Sequence, residues 1–170
     1  MNNATTIIGL FNPKSPSNVG AVLRAARCYQ AGEVRYTGTR YDRAAKFYTD
    51  TQGAIETIPL TAVNSFLDGL EEGTEIVCVE LAIGATPLPA FQHPEKAIYI
   101  FGPEDGSISK EVVDNAHHVV YVPTVGCMNL AASVNVVLYD RLAKSENTLQ
   151  GDALIISSRD NKNRLIVQEK

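Results

Sequence analysis

The chain has 170 residues, 45% of them hydrophobic and 20% charged, which suits one soluble globular domain able to bury roughly 70% of the surface its unfolded form exposes. No apolar run approaches the length of a membrane span, and the start MNNATTIIGLF has no basic n-region of a signal peptide. Three scattered cysteines, Cys28, Cys78 and Cys127, exclude a paired disulfide framework and fit a reducing cytoplasm; with His93, His117 and His118 they make no metal-ligand spacing, so neither a metal nor a membrane partner is expected.

The net charge of −4 argues against a polyanionic partner until its distribution is read. Residues 1–46 hold seven basic groups against two acids, net +5, and the other 124 residues carry net −9. A local positive field of this kind draws a nucleic acid whatever the total. Ordinary solvated charges on exposed faces would give the same count.

In chain order, Thr5–Phe11 is short, β-branched and closed by Asn12-Pro13, a buried strand running into a loop. Two prolines shape that loop, and Ser17 or Asn18 is placed to cap a helix from Asn18 to Ala31. Val19, Val22, Leu23 and Ala26 give the helix its apolar face. Gly20, Arg24 and Arg27 share another face, where glycine admits a close neighbour beside two guanidinium groups. Glu33–Gly38 reads as the second strand. Residues 39–53 interleave Tyr41, Phe47 and Tyr48 with Arg43 and Lys46, a pattern suited to stacking on bases or to packing aromatics inward.

Glu56–Leu60 reads as a short strand, and Val63, Phe66, Leu67 and Leu70 then fall at helical spacing behind Thr61. Glu75–Leu81 is a buried strand with an acid, Glu80, at its carboxyl end. Ala97–Phe101 and Val119–Val122 are two more apolar strands, each closed by a Gly/Pro turn: Gly102-Pro103-Glu104-Asp105-Gly106 and Pro123 to Cys127. Ser109 is placed to cap the helix between them, with Glu111 suited to its dipole. Asn129–Ala143 is a helix apolar nearly all round, which calls for burial in the core or against another subunit. Residues 151–170 form an extension whose run Ala153–Ile156 is an extra strand or a tail. The alternation implies one α/β domain over 1–150, a mostly parallel sheet with helices on both faces. Its ligands belong at the carboxyl ends of the strands.

Three segments in this order resemble the SpoU/TrmH branch of the SPOUT RNA methyltransferases. Asn18-Val-Gly20 with Arg24 is similar to that family's N-x-G-x-x-x-R; Gly102-Pro103-Glu104 with Gly106 to its G-x-E-x-x-G, the second glycine one place early; and Val122-Pro123 with Cys127-Met128-Asn129 to its I-P-M and S-M-N elements. The resemblance implies a deep trefoil knot around residues 102–129, a homodimer, S-adenosylmethionine as cofactor, and methyl transfer to a ribose 2′-hydroxyl of RNA. Transfer RNA is preferred over ribosomal RNA because no separate RNA-binding domain is attached. It makes Arg24, Asn18, Glu104 and Asn129 the catalytic set, and Leu81, Gly102, Val122, Cys127 and Met128 the cofactor set. Lys14, Arg27, Arg43 and Lys46 would dock RNA. Cys127 stands where the family usually has serine, weakening any hydroxyl contact there to a thiol one. A catalytically silent RNA-binding protein on the same fold is the competing reading. A flavodoxin-like nucleotide module would need a glycine-bearing phosphate loop after the first strand, and Asn12–Ser17 has no glycine.

Overall fold

The computed structural model describes residues 6–47, 58–146 and 150–168. Among them, strands β1 (Thr6–Leu10), β2 (Glu33–Tyr36), β3 (Leu60–Ala62), β4 (Glu75–Val79), β5 (Thr86–Pro87), β6 (Ala97–Phe101) and β7 (His118–Tyr121) form one sheet in the order β3-β2-β1-β6-β4-β7-β5. Every pairing is parallel. Strand β6 is buried along its whole length because it lies between β1 and β4 and is covered on both faces, which explains its unbroken apolar run. It enters between two strands that precede it in the chain.

Helices α1 (Pro16–Cys28) and α4 (Leu130–Lys144) pack together on one face. Val19, Val22 and Leu23 from α1 and Val134, Val137 and Leu138 from α4 join Ile8, Leu10, Tyr99 and Phe101 in the larger core. The opposite face carries a smaller core of Phe66, Ile76, Cys78, Ile98, Ile100 and Ile108, backed by Val112 and Val113 of α3 (Lys110–Asp114). The segment before β6 is tied to α4 by a polar cluster. The His93 ring nitrogens lie 2.7 Å from the Tyr99 hydroxyl and 2.7 Å from Asp140, while Arg141 donates to Pro94 O and Lys144 to Leu88 O and Phe91 O.

Several expectations need correction. The first helix starts at Pro16, with Ser15 rather than Ser17 or Asn18 as its cap; Ser15 Oγ accepts from Asn18 N, and Pro16 supplies a preset φ where no N–H is needed. No helix follows Thr61: Leu60–Ala62 pairs with β2, and Phe66–Gly69 is a turn. Ser65 and Asp68 bind nearby backbone N–H groups and Gly69 adopts φ +64°, so local side-chain bonds and an offered sheet edge outcompete an amphipathic pattern. The second strand stops at Tyr36, and a short helix α2 (Arg40–Ala45) follows. Tyr41 is buried edge-on against Tyr36, so this aromatic packs inward, whereas Phe47 is exposed. Tyr48 and the start of the strand expected at Glu56 lie outside the described residues. The extension forms neither strand nor plain tail but a helix, α5 (Asp152–Ser158), with Ile155 and Ile156 exposed.

Candidate functional site

Because β4, β6 and β7 are parallel neighbours, their carboxyl ends lie side by side. The segments leaving them enclose a cleft of about 180 Å³. Leu81 comes from the segment after β4, where the strand stops at Val79 rather than at the expected Leu81, Gly102 from the turn after β6, and Val122, Cys127 and Met128 from the loop after β7, so all five residues of the expected cofactor set line one cavity. Leu81 and Cys127 are exposed at its rim. Gly102 fits closely there: a Cβ on it would stand 3.2 Å from Glu80 Oε2 and 3.3 Å from Ile108 N, so a larger residue would press on both.

The three motifs meet in a single hydrogen-bonded chain. Glu104 Oε1 accepts from Ser15 N and from Asn18 Nδ2, both at 3.0 Å, and its Oε2 accepts from Lys14 N at 3.0 Å. Asn18 Oδ1 in turn accepts from Asn129 Nδ2 at 3.1 Å. Asn129 Oδ1 caps α4 by accepting from Ala131 N and Ala132 N. Burial pushes the Glu104 carboxyl up, but the bonds from Asn18, from its own backbone, and from Ser15 and Lys14 outweigh this and hold it below its ordinary value. An ionised Glu104 therefore fastens the loop before α1 to the loop after β6, and Asn129 adds the loop after β7. Glu104, Asn18 and Asn129 are brought together as expected.

Arg24 is not part of that cluster. It sits on the exposed face of α1 and does not line the cleft. Six residues past Asn18, it stands about 9 Å further along the helix axis. A Cβ on neighbouring Gly20 would meet nothing within 4 Å among the described residues. Lys14, Arg27, Arg43 and Lys46 are likewise exposed. Two other basic residues leave the positive surface. Arg35 is buried against Glu33 and Asp68 O, and Arg40 makes two 2.9 Å bonds to Asp105 while donating to Asn12 O. Lys14 Nζ also approaches Asp105, at 3.8 Å.

Arg40 thus braces the loop after β1 to the loop after β6, a role no sequence pattern singled out. Asn12 stands at φ +46° beside Gly38 at φ +78°, and a Cβ on Gly38 would collide with the Asn12 side chain. Glu80 is the second residue the motifs miss. Its sole signal was an acid closing a buried strand. Among the described residues no group of His, Cys, Asp and Glu could hold a metal ion, and no helix is long and apolar enough to cross a membrane.

Comparison with known proteins agrees with this geometry. Residues 5–139 match the SpoU rRNA Methylase family. A protein of Archaeoglobus fulgidus, named as an uncharacterized tRNA/rRNA methyltransferase, is 28% identical over 142 residues, covering 78% of this chain and 62% of its own length. Among solved structures, the A. aeolicus TrmH/SpoU tRNA modifying enzyme superposes with TM-score 0.69 at 20% identity over 81% of this chain and 73% of its own. AviRb from Streptomyces viridochromogenes, in complex with AdoMet, gives 0.65 at 18% identity over 79% and 56%. A structure concerned with 2-OH methylation of C/U34 on tRNA gives 0.69 at 22% identity over 82% and 89%. By its motifs, its fold and the extent of the family match, this chain belongs to the SpoU rRNA Methylase family.

Proposed function

We propose that this protein transfers a methyl group from S-adenosylmethionine to a ribose 2′-hydroxyl of RNA, with transfer RNA as the substrate class. The observation that carries the reading is the Glu104–Asn18–Asn129 chain, which joins the donor cleft to the helix bearing Arg24. Support for the donor comes from the cleft's composition and from the related fold of AviRb, whose structure holds AdoMet. Support for transfer RNA comes from the relative concerned with C/U34, matched over 89% of its length.

The cofactor supplies an activated methyl on a sulfonium, so the protein's task is placement, worth roughly 7–11 kcal/mol of barrier when alignment is good. Backbone groups of Gly102, Val122 and Met128 cradle the donor, and Leu81 walls it. Cys127 offers a thiol at the rim. Glu104 and Asn129 hold the loops in register and Asn18 links them. Arg24, permanently protonated, cannot abstract a proton; it grips the phosphate beside the target ribose and stabilises the developing alkoxide, the proton passing to water. Lys14, Arg27, Arg43 and Lys46 dock the RNA backbone.

Two copies acting together suit the outer face of α4, which exposes Ala132, Val136 and Tyr139 in the single chain. The reducing cytoplasm is the proposed setting. Tritiated methyl transfer from S-adenosylmethionine into bulk RNA tests the reading, with nucleoside mass spectrometry locating the product. Wild type should transfer and Arg24→Ala should not, while both should fold alike. RNA binding without transfer by wild type would favour the catalytically silent reading. RNA affinity indifferent to salt would remove the basic face as the docking surface.

A further inference from the structure

The donor cleft is electrostatically one-sided. Among the described residues its lining includes two carboxylates, Glu80 and Glu104, and no lysine, arginine or histidine. Glu104 is turned toward α1, accepting from Lys14, Ser15 and Asn18. Glu80 faces the other way. Its own N–H continues the sheet by donating to Val120 O, while Oε1 accepts from Leu81 N at 2.9 Å and Oε2 from Ile108 N at 3.0 Å. The second bond spans 28 positions and pins the loop after β6 across the cleft. Gly102 passes directly beneath this clip, which a larger residue would crowd. The Glu80 charge is felt in the interior: burial first, and that charge second, push the Cys78 thiol up to about 12.

A carboxylate has about four acceptor sites, and two backbone N–H groups leave roughly half of them free. Among the described residues no side-chain cation of the cleft balances the remaining charge. A cavity of that sign favours a positively charged occupant. We infer that Glu80 is a positioning residue that makes the cleft prefer the cationic sulfonium donor over its neutral thioether product, while holding the loop at Ile108. The inference rests on the methyl-donor reading above. Transfer removes the methyl with the positive charge: the S–C bond electrons return to sulfur and the hydroxyl proton leaves to water. The donor's net charge of plus one thus becomes zero, and a fixed negative group holds the product less tightly than the donor.

Calorimetry on the full chain tests this with three probes: S-adenosylmethionine, S-adenosylhomocysteine, and sinefungin, in which a protonated amine takes the place of the sulfonium charge. Glu80→Gln keeps the size and removes the charge. The ratio of donor to product affinity should move about 10-fold toward product, about 1.4 kcal/mol, and sinefungin should follow the donor. Glu80→Asp keeps the charge but shortens the reach; it should retain the donor preference while amide exchange at Ile108 speeds up without any ligand. Equal losses for all three probes in Glu80→Gln, or loss of the preference in Glu80→Asp, overturn the inference. A wild-type protein that binds none of the three defeats the donor reading itself, whereas tight wild-type binding with an unchanged ratio in Glu80→Gln defeats this inference alone.

Discussion

Replacing Glu104 with glutamine tests the junction on which the site depends. Three N–H donors converge on the carboxylate, from Lys14, Ser15 and Asn18, each at 3.0 Å. Glutamine keeps one acceptor oxygen and turns an NH2 toward one of these donors. Hydrogen bonds to a charged group contribute about 1.5–3 kcal/mol each, and an orphaned donor costs a similar amount. Glu104 is exposed, so water takes up part of the loss and a net cost of about 1–2 kcal/mol is expected. For a domain of this size that lowers Tm by roughly 2–8 °C.

The pH dependence supplies the sharper criterion. The folded-state pKa of Glu104 is lowered, so its contribution is present above the unfolded value of about 4.3 and fades as pH falls through the lower folded value. Thermal scans of wild type and Glu104→Gln should differ at pH 7, and the gap should shrink as pH falls below the unfolded value of about 4.3. Equal Tm at pH 7, or an undiminished gap at low pH, would refute the assignment of an ionised carboxylate to this junction. Methyl transfer by the variant should fall as well, since two loops of the site lose their common anchor.

Asn129 separates capping from positioning. Asn129→Ala should lose about 1 kcal/mol with its cap, whereas Asn129→Asp keeps the cap but cannot donate to Asn18, so near-normal melting with transfer reduced about 10- to 100-fold is expected. His93 is predicted to govern part of the acid sensitivity. Burial lowers its pKa against the opposing pull of Asp140, so its stabilisation is complete above about 6.5 and is lost as pH drops. His93→Gln should flatten the decline of Tm between pH 6.5 and 5, and an unaltered slope would exclude His93 as its source. On the outer face of α4, Val136→Arg should convert a sedimenting dimer to monomer with an unchanged circular dichroism spectrum; a wild-type monomer at assay concentrations would exclude the two-copy arrangement.

The candidate site was legible mainly through the resemblance of three short segments to a family's motifs, since contacts made by backbone groups leave little mark on side-chain spacing. Gly102 lies close against Glu80 and Ile108, Glu104 sits in a Pro-Glu-Asp-Gly turn, and Asn129 precedes a long apolar helix whose first N–H groups need an acceptor. The buried strands β1, β4 and β6 and the half-buried β7 announced themselves as apolar runs. The segment after Thr61 misled because its 3.6-residue pattern was real yet short. A sheet edge at β2 and the turn bonds of Ser65 and Asp68 were worth more than an isolated helix of that length.

What the amino-acid order determined alone was the alternation of the main strands and helices, since each follows from interactions within a few positions; the helix read after Thr61 and the unforeseen β5 and α5 mark its limit. Only the tertiary structure decided that β6 lies between β1 and β4, and so that Glu80 reaches Ile108, Arg40 reaches Asp105 and Asn18 bridges Glu104 to Asn129. Those contacts join residues 28 to 111 positions apart. No local propensity encodes them, because their partners become neighbours only when the sheet has assembled and shared apolar burial has fixed the strand order.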